Sequence, residues 1–273
     1  MPFVVRAARG RAPRPFRSPS APIRAEGNLL YTRGLVADFP IDLDEGLADR
    51  LLRSFDLDGK IPRALEALGP LSDRDVVVVD AGRGIRARQL AALGARLTVL
   101  ERADRIDRLV GALAAIDELR GRPTLAGEPA ALGLPSASAD AIVAMWTAYR
   151  PPNRDEVSEA ERVLRPGGRL LVVHDYGRDD VSRLRGDMPE YGSWSRRDGW
   201  YLTNGFRMRV IHTFWTFPSV DDTRQFLVDG FGQIGAAVAE TLKRARLSYN
   251  VAIYHRTRAE RRESEAVATA SAS

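Results

Sequence analysis

Four consecutive valines, Val76 to Val79, run straight into Asp80, and Gly82 and Gly84 follow at once. No other stretch constrains the fold as tightly. Side chains alternate between the faces of a strand, so valine at every position demands cover on both faces. That is the situation of an interior strand in a mostly parallel sheet. A glycine turn at the end of such a strand lets the backbone approach a ligand closely, and the helix that follows offers free N–H groups. Leu97 to Leu100 supplies a second apolar strand and ends in Glu101, an acid that can accept hydrogen bonds from ribose hydroxyls. The pattern implies a ribose-bearing cofactor, and two cofactor classes fit it. Gly82-x-Gly84-x-x-Ala87 satisfies the loose dinucleotide fingerprint, with Glu101 as the ribose acid. Asp80, however, is awkward beside a pyrophosphate and suits a ligand with ammonium and sulfonium groups. An acid at a strand end also serves simply to cap the next helix.

Strand and helix patterns alternate along most of the chain, which predicts a parallel α/β sheet. Asp44 to Leu68 is helical, with apolar Leu47, Leu51, Leu52, Ala64, Leu65 and Leu68 and an interruption near Asp58-Gly59. Arg86 to Leu93 is a helix closed by Gly94, and Asp104 to Leu119 is an amphipathic one. Short strands are expected near Pro123 to Ala126 and at Ala139 to Met145. Asn153 and Glu156 have capping-box spacing at the start of a helix that ends before Pro166-Gly167-Gly168. The strand Arg169 to His174 follows, then an irregular aromatic stretch and a strand from Phe206 to Phe217. Helices at Ser219 to Val228 and Gln233 to Lys243 lead to a last strand, Ser248 to His255.

Three segments carry a family resemblance. Asp80-x-Gly82-x-Gly84 resembles motif I of the class I S-adenosylmethionine (SAM)-dependent methyltransferases, of the type 11-like kind. Gly127-Glu128 with Leu134-Pro135 and Ser138-Ala-Asp140 is similar to the family's link between its third and fourth strands. Glu159 to Val173, with its Pro-Gly-Gly turn, is similar to the helix, turn and fifth strand of that family. The resemblance implies a three-layer, Rossmann-like fold with a seven-stranded, mostly parallel sheet. Its last strand would insert antiparallel between strands five and six. It also implies SAM as cofactor, with Asp80, Gly82 and Gly84 lining it, Glu101 on the ribose and Glu128 at the adenine. Two departures stand out. Arg83 occupies a place where the family has a small residue, and could pair with the cofactor's carboxylate or point to solvent. Ile85 stands where Thr or Ser is common.

Methyl transfer is a displacement at an already activated carbon, so alignment of the reactants supplies much of the catalysis. A base is needed only when the acceptor must lose a proton. The acceptor belongs beyond the carboxyl ends of strands four and five, which read Met145-Trp146-Thr-Ala-Tyr149-Arg150 and His174-Asp175-Tyr176. His174, with an ordinary pKa of about 6.5 and Asp175 next to it in sequence, is the candidate base. A strand-end histidine bonded to a backbone carbonyl is the plainer reading. Tyr149 is the second catalytic candidate, and with Trp146 it forms either an aromatic wall or core. Tyr191, Trp194, Trp200 and Tyr201 crowd the link after strand five. They are expected either to pack as core or to form a lid over a small organic acceptor. His212 and His255 read as structural.

Composition narrows the chemistry. The absence of cysteine removes disulfide scaffolds, thiolate zinc sites, iron–sulfur clusters and cysteine nucleophiles. The three widely spaced histidines do not form a metal-binding pattern. No apolar run reaches the ~18 residues of a membrane span, and a cytoplasmic setting is expected. The formal net charge is +5, yet residues 1–25 hold six arginines and no acid, so the remainder is near neutral. Basicity belongs to a tail, and 39 of the 41 basic residues are arginine, which weakens any reading of arginine number as function. The expected organisation is a disordered basic tail at 1–27, a methyltransferase domain at 28–257 and a disordered tail at 258–273. The expected partner is a small-molecule acceptor rather than nucleic acid or membrane. The alternatives are a SAM-binding protein without catalysis, a nicotinamide dehydrogenase, which requires a parallel last strand, and an RNA methyltransferase recruited by the basic arm.

Overall fold

The computed structural model describes residues 43–260, apart from 115, 151–152 and 187–188. The basic tail at 1–27, and most of the expected C-terminal tail, lie outside the described residues. Arg258, placed in that tail, is bonded here: its N–H donates to the Gly168 carbonyl at 2.8 Å and its carbonyl accepts from the Gly167 N–H at 3.0 Å.

Seven strands form one sheet in the order β3-β2-β1-β4-β5-β7-β6. They are β1 (Asp75–Val79), β2 (Arg96–Glu101), β3 (Thr124–Ala126), β4 (Ala139–Met145), β5 (Leu164–Asp175), β6 (Arg207–Thr216) and β7 (Arg246–Thr257). The first five pair in parallel. The seventh runs antiparallel to both neighbours, with Val173 and Arg209 on either side of Ile253. This is the insertion that the resemblance implies, and it removes the dehydrogenase reading.

The valine run explains the layering. Val76 and Val78 point into one hydrophobic cluster, Val77 and Val79 into another on the opposite face. The first cluster is closed by α1 (Glu45–Leu52), α2 (Lys60–Leu68), α3 (Ile85–Ala92), α4 (Ile106–Ala114) and α8 (Val220–Thr241), through residues such as Leu51, Leu65, Leu90, Leu109 and Phe226. The second is closed by α5 (Arg154–Val163) and by the aromatic link around α7 (Trp200–Thr203), whereas α6 (Asp180–Arg185) joins the first through Val181 and Leu184. The interruption at Asp58-Gly59 separates α1 from α2. The capping box of α5 is present, Asn153 Oδ1 accepting from the Glu156 N–H at 2.9 Å.

Two expectations change and one holds. The helix expected over 104–119 is shorter: α4 is followed by a separate 3-10 turn, Asp117–Leu119. The two helices expected around residue 230 are both present within α8, parted at Gly232, whose φ of 55° a helix cannot hold. The aromatic link is core in its main contacts. Tyr201 is fully buried, stacks on Tyr254 at 3.9 Å between ring centroids and donates its hydroxyl to the Tyr149 carbonyl at 2.8 Å. Trp194 meets His174 edge-on at 5.1 Å.

A Tyr201→Ala variant is therefore expected to lose about 3–5 kcal/mol of stability, as large aromatic deletions in cores do. Urea titration checks this. A loss below ~1 kcal/mol would return the link to the role of a loose lid.

Candidate active site

Every expected cofactor residue lies at the carboxyl ends of β1, β2 and β3. Asp80 follows β1, its N–H donating to the Leu100 carbonyl at 3.0 Å, and Glu101 closes β2. The Gly127 N–H donates to the Glu101 carbonyl at 3.0 Å and so sets Glu128, which is exposed, beside the same edge. The turn between Asp80 and α3 is left-handed at Asp80, Gly82 and Gly84, with φ of 54°, 61° and 82°. Glycine is required at 84 for a second reason. A Cβ there would come within 2.3 Å of Leu113 Cδ2, so α4 packs directly on the turn. Asp80 itself, with a Cβ in this region, carries a strain of about 1–2 kcal/mol. Trp146 and Tyr149, just past β4, share that conformation at 63° and 61°. Non-glycine residues held this way gather at the edge where the chemistry is expected.

Glu101 is 1% exposed and engaged on both oxygens. Oε2 accepts from the Gly82 N–H at 3.1 Å, which ties the acid to the glycine turn. Oε1 accepts from the Arg102 N–H at 3.1 Å and lies 3.0 Å from Arg105 Nη2. Arg105 also lies 3.5 Å from Asp80 Oδ1. The Asp80 carboxyl is pushed up to about 6 by its burial, with the negative charge of Glu101 adding and the positive charge of Arg105 opposing. Arg105 was not singled out by sequence reading. The only signal was its position four residues after Glu101, which has meaning inside a helix and none across a strand end.

Arg83 is half-buried. Its Nη1 lies 3.4 Å from Asp49 Oδ1 of α1. Arg86, in the first turn of α3, is buried with its guanidinium 4.6 Å from the Phe55 ring centroid and 5.3 Å from that of Trp146. The segment around α1 therefore clasps the Asp80–Gly84 turn through two arginines.

The catalytic candidates stand apart from this group. His174 is 0% exposed, beneath Trp194 and Tyr201, and neither ring nitrogen has a hydrogen-bond partner. Burial holds its pKa well below the ordinary value, the positive charge of Arg150 adds to this, and the Tyr149 backbone opposes it. The suggested support from Asp175 is corrected by the geometry of the strand. Adjacent residues in β5 face opposite sides of the sheet, and Asp175 lies on the other one. There it pairs with Arg185 at 2.7 Å and accepts from the Tyr249 hydroxyl, which in turn accepts from Trp146 Nε1 at 2.9 Å. Tyr149 is buried with an unpartnered hydroxyl, and burial raises its phenol well above the usual range. Among the described residues no group of histidine and carboxylate side chains is arranged to hold a metal ion. No described helix is long and apolar enough to cross a membrane.

An acid-and-glycine edge on a sheet of this order, with the seventh strand antiparallel, defines a methyltransferase fold. Residues 78–172 match the methyltransferase domain family, and that segment runs from β1 into β5, through the edge that carries Asp80, Glu101 and Glu128. No curated protein matches the sequence. Among solved structures, the MccD protein is 10% identical with a TM-score of 0.49, over 71% of this chain and 96% of that one. The YcgJ protein from Bacillus subtilis is 15% identical with a TM-score of 0.47, over 73% and 98%. A SAM dependent methyltransferase from Aquifex aeolicus is 15% identical with a TM-score of 0.46, over 78% and 98%.

The raised Asp80 carboxyl gives a signed expectation. Its pKa moves from the ordinary 3.8 to about 6 in the folded protein, so between these values the folded state holds a proton that the unfolded state has lost. Stability from this group is complete below about pH 4 and falls as pH rises to about 6, by ~2–3 kcal/mol. Chemical denaturation across that range should show the decline in the wild type relative to Asp80→Asn. Parallel curves for the two proteins would contradict the assignment.

Proposed function

We propose that this methyltransferase binds SAM at the Asp80–Glu101 edge and transfers its methyl group to a small-molecule acceptor. One observation carries the reading: two buried carboxylates flank a left-handed glycine turn at the carboxyl end of β1. The donor set fits the group. Asp80 is a buried acid whose ionised form is short of positive charge, which suits a cationic ligand. Gly82 and Gly84 give the turn its left-handed path, Glu101 suits a ribose diol, and exposed Glu128 suits the adenine. When bound, SAM supplies an electrophilic methyl carbon.

The chain's own residues then have three tasks. The strained turns at Asp80 and Trp146 hold the site in one geometry, which serves alignment. Tyr149 stays protonated and can donate a hydrogen bond to an acceptor. His174, uncharged at neutral pH, can take a proton from an acceptor that gets inside the wall of Trp194 and Tyr201. That enclosure favours a compact acceptor over a polymer. The full burial of His174 also favours a second reading, SAM binding without transfer.

Calorimetry with SAM, its demethylated product and NAD tests the cofactor class, and binding of NAD alone would sink the proposal. Formation of demethylated product across a panel of small nucleophiles, with RNA and protein as controls, separates the acceptor classes. Turnover with RNA only would overturn the small-molecule reading. Glu101→Ala should weaken SAM binding by about 1–3 kcal/mol through lost charged hydrogen bonds, and unchanged affinity in a folded variant would remove Glu101 from the site. His174→Asn should keep SAM affinity and lower transfer by ~100-fold or more. Full activity would leave His174 as packing.

A further inference from the structure

We propose that the groove between α2 and the open edge of β6 is a binding site for a small multivalent phosphate, separate from the cofactor edge. The groove has a volume of about 370 Å³ and is lined by Lys60, Arg63 and Ala64 of α2 and by residues 209–212 of β6. The sheet register concentrates cations beside it. Side chains two residues apart share a face of a strand. On the face that carries Ile211, Val251 and Ile253 into the first cluster, Arg207 lies directly opposite His255 and Arg209 opposite Ile253. His255 also lies opposite Leu171, with Arg169 at the preceding position on that face of β5. Burial holds the pKa of half-buried His255 below its ordinary value. The charges of Arg207, Arg169 and Arg209 lower it further, and no carboxylate opposes them.

Arginine alone means little in this chain, but arginine without an acid is informative. Arg50 pairs with Asp229, Arg96 and Arg165 with Asp75, and Arg256 with Glu161. Among the described residues, Arg63, Arg169, Arg207 and Arg209 have no carboxylate within ion-pair distance. Nearby acids are engaged elsewhere. Buried Asp56 caps α2 through the Lys60 and Ile61 N–H groups, at 3.0 and 2.9 Å, and accepts from the Thr213 hydroxyl at 2.7 Å. Glu66 accepts from the Leu71 N–H at 2.9 Å. Asp58 offers Lys60 a contact at 3.7 Å. Like charges facing each other across adjacent strands destabilise a sheet, and here no side chain offsets them. A bound anion would.

The backbone of β6 narrows the class of ligand. The Phe214 carbonyl accepts from the Asp56 N–H at 3.0 Å, and the Thr216 N–H donates to the Ser54 carbonyl at 2.7 Å. Even-numbered residues of β6 therefore turn their backbone groups away from β7. Segment 54–56 closes the edge at one end, and Lys60 Nζ donates to the His212 carbonyl at 3.1 Å, which removes that carbonyl from any ladder with an added strand. Val210, next in the series, turns its N–H outward beside Arg209. Phosphate oxygens take guanidinium forks and backbone N–H groups together. No phenylalanine, tyrosine or tryptophan lines the groove to stack a base. The site thus suits a compact anion rather than a peptide strand or a nucleic acid.

Tripolyphosphate is the probe. Thermal unfolding of the full chain is compared in tripolyphosphate and in sodium chloride of equal ionic strength, with calorimetric isotherms, for wild type and Arg209→Thr. Wild type should gain ~5 °C at a hundredfold excess over Kd. The variant should bind ~10-fold more weakly, the loss of one charged hydrogen bond. The six arginines of residues 1–25 are common to both proteins, so the difference reports on the groove. In chloride alone Arg209→Thr should melt no lower than wild type, because a repulsion is removed and threonine suits a strand. Equal affinities, or a variant that melts below wild type in chloride, would overturn the proposal. Arg63→Gln, on the exposed face of α2, tests the other wall: the same weakening is expected, and unchanged affinity would count against the site. Binding of RNA or of anionic vesicles, with none of tripolyphosphate, would overturn the small-phosphate class.

Discussion

A sheet that is apolar on both faces has to be covered on both faces, and nearly everything else in this molecule answers to that demand. Val76 and Val78 require the helices on one side; Val77 and Val79 require α5 and the aromatic link on the other. Covered strands have no room for polar side chains along their length. Polar groups can emerge only where the strands end, so Asp80, Glu101, His174 and Asp175 all lie at the same edge. The sequence of a strand then decides which side of the edge each group serves. His174 joins the aromatic cluster, while Asp175, one residue on, joins Tyr249 and Trp146 across the sheet.

Burying acids at that edge creates an electrostatic problem that the local structure solves with few parts. Glu101 meets two backbone donors and a guanidinium nitrogen at 3.0 Å, whereas Asp80 has the same nitrogen at 3.5 Å and a neighbouring negative charge. The two acids therefore differ in character although they sit side by side. One is satisfied and structural in its contacts. The other is poised to accept a proton or a cation. The difference arises because the Gly82 and Arg102 N–H groups both donate to Glu101, while Asp80 faces Arg105 from 3.5 Å.

Much of this was legible in the residues. The valine run, the alternation of strands with helices and the Asn153–Glu156 spacing carry their own geometry, because each depends on contacts only a few residues apart. The acid-and-glycine edge was legible for the same reason: the turn from Asp80 to Gly84 is local, and Glu101 sits at a strand end of its own. The partnerships that cross the chain were not. Arg83 finds Asp49, Arg86 finds Phe55 and Arg105 finds two acids through packing of whole elements, and no spacing announces them. With 39 arginines in the chain, the residue type itself carried no signal. The pairing of His174 with Asp175 failed for a different reason. Nearness in sequence is separation in space on a strand, and the two-residue period was the better guide.

The position of β7 has a consequence for how the molecule is made. It is the latest of the seven strands in sequence, yet it lies between β5 and β6. During synthesis the strands up to β5 can pair as they emerge, each beside one already present, while β6 has no place in the sheet until β7 arrives. For that interval β6 and the free flank of β5, apolar over Leu170 to Val173, are open edges of the kind that recruit other strands. The nascent chain is thus most exposed to misassembly between completion of β5 and emergence of β7, and the last strand acts as a closing wedge.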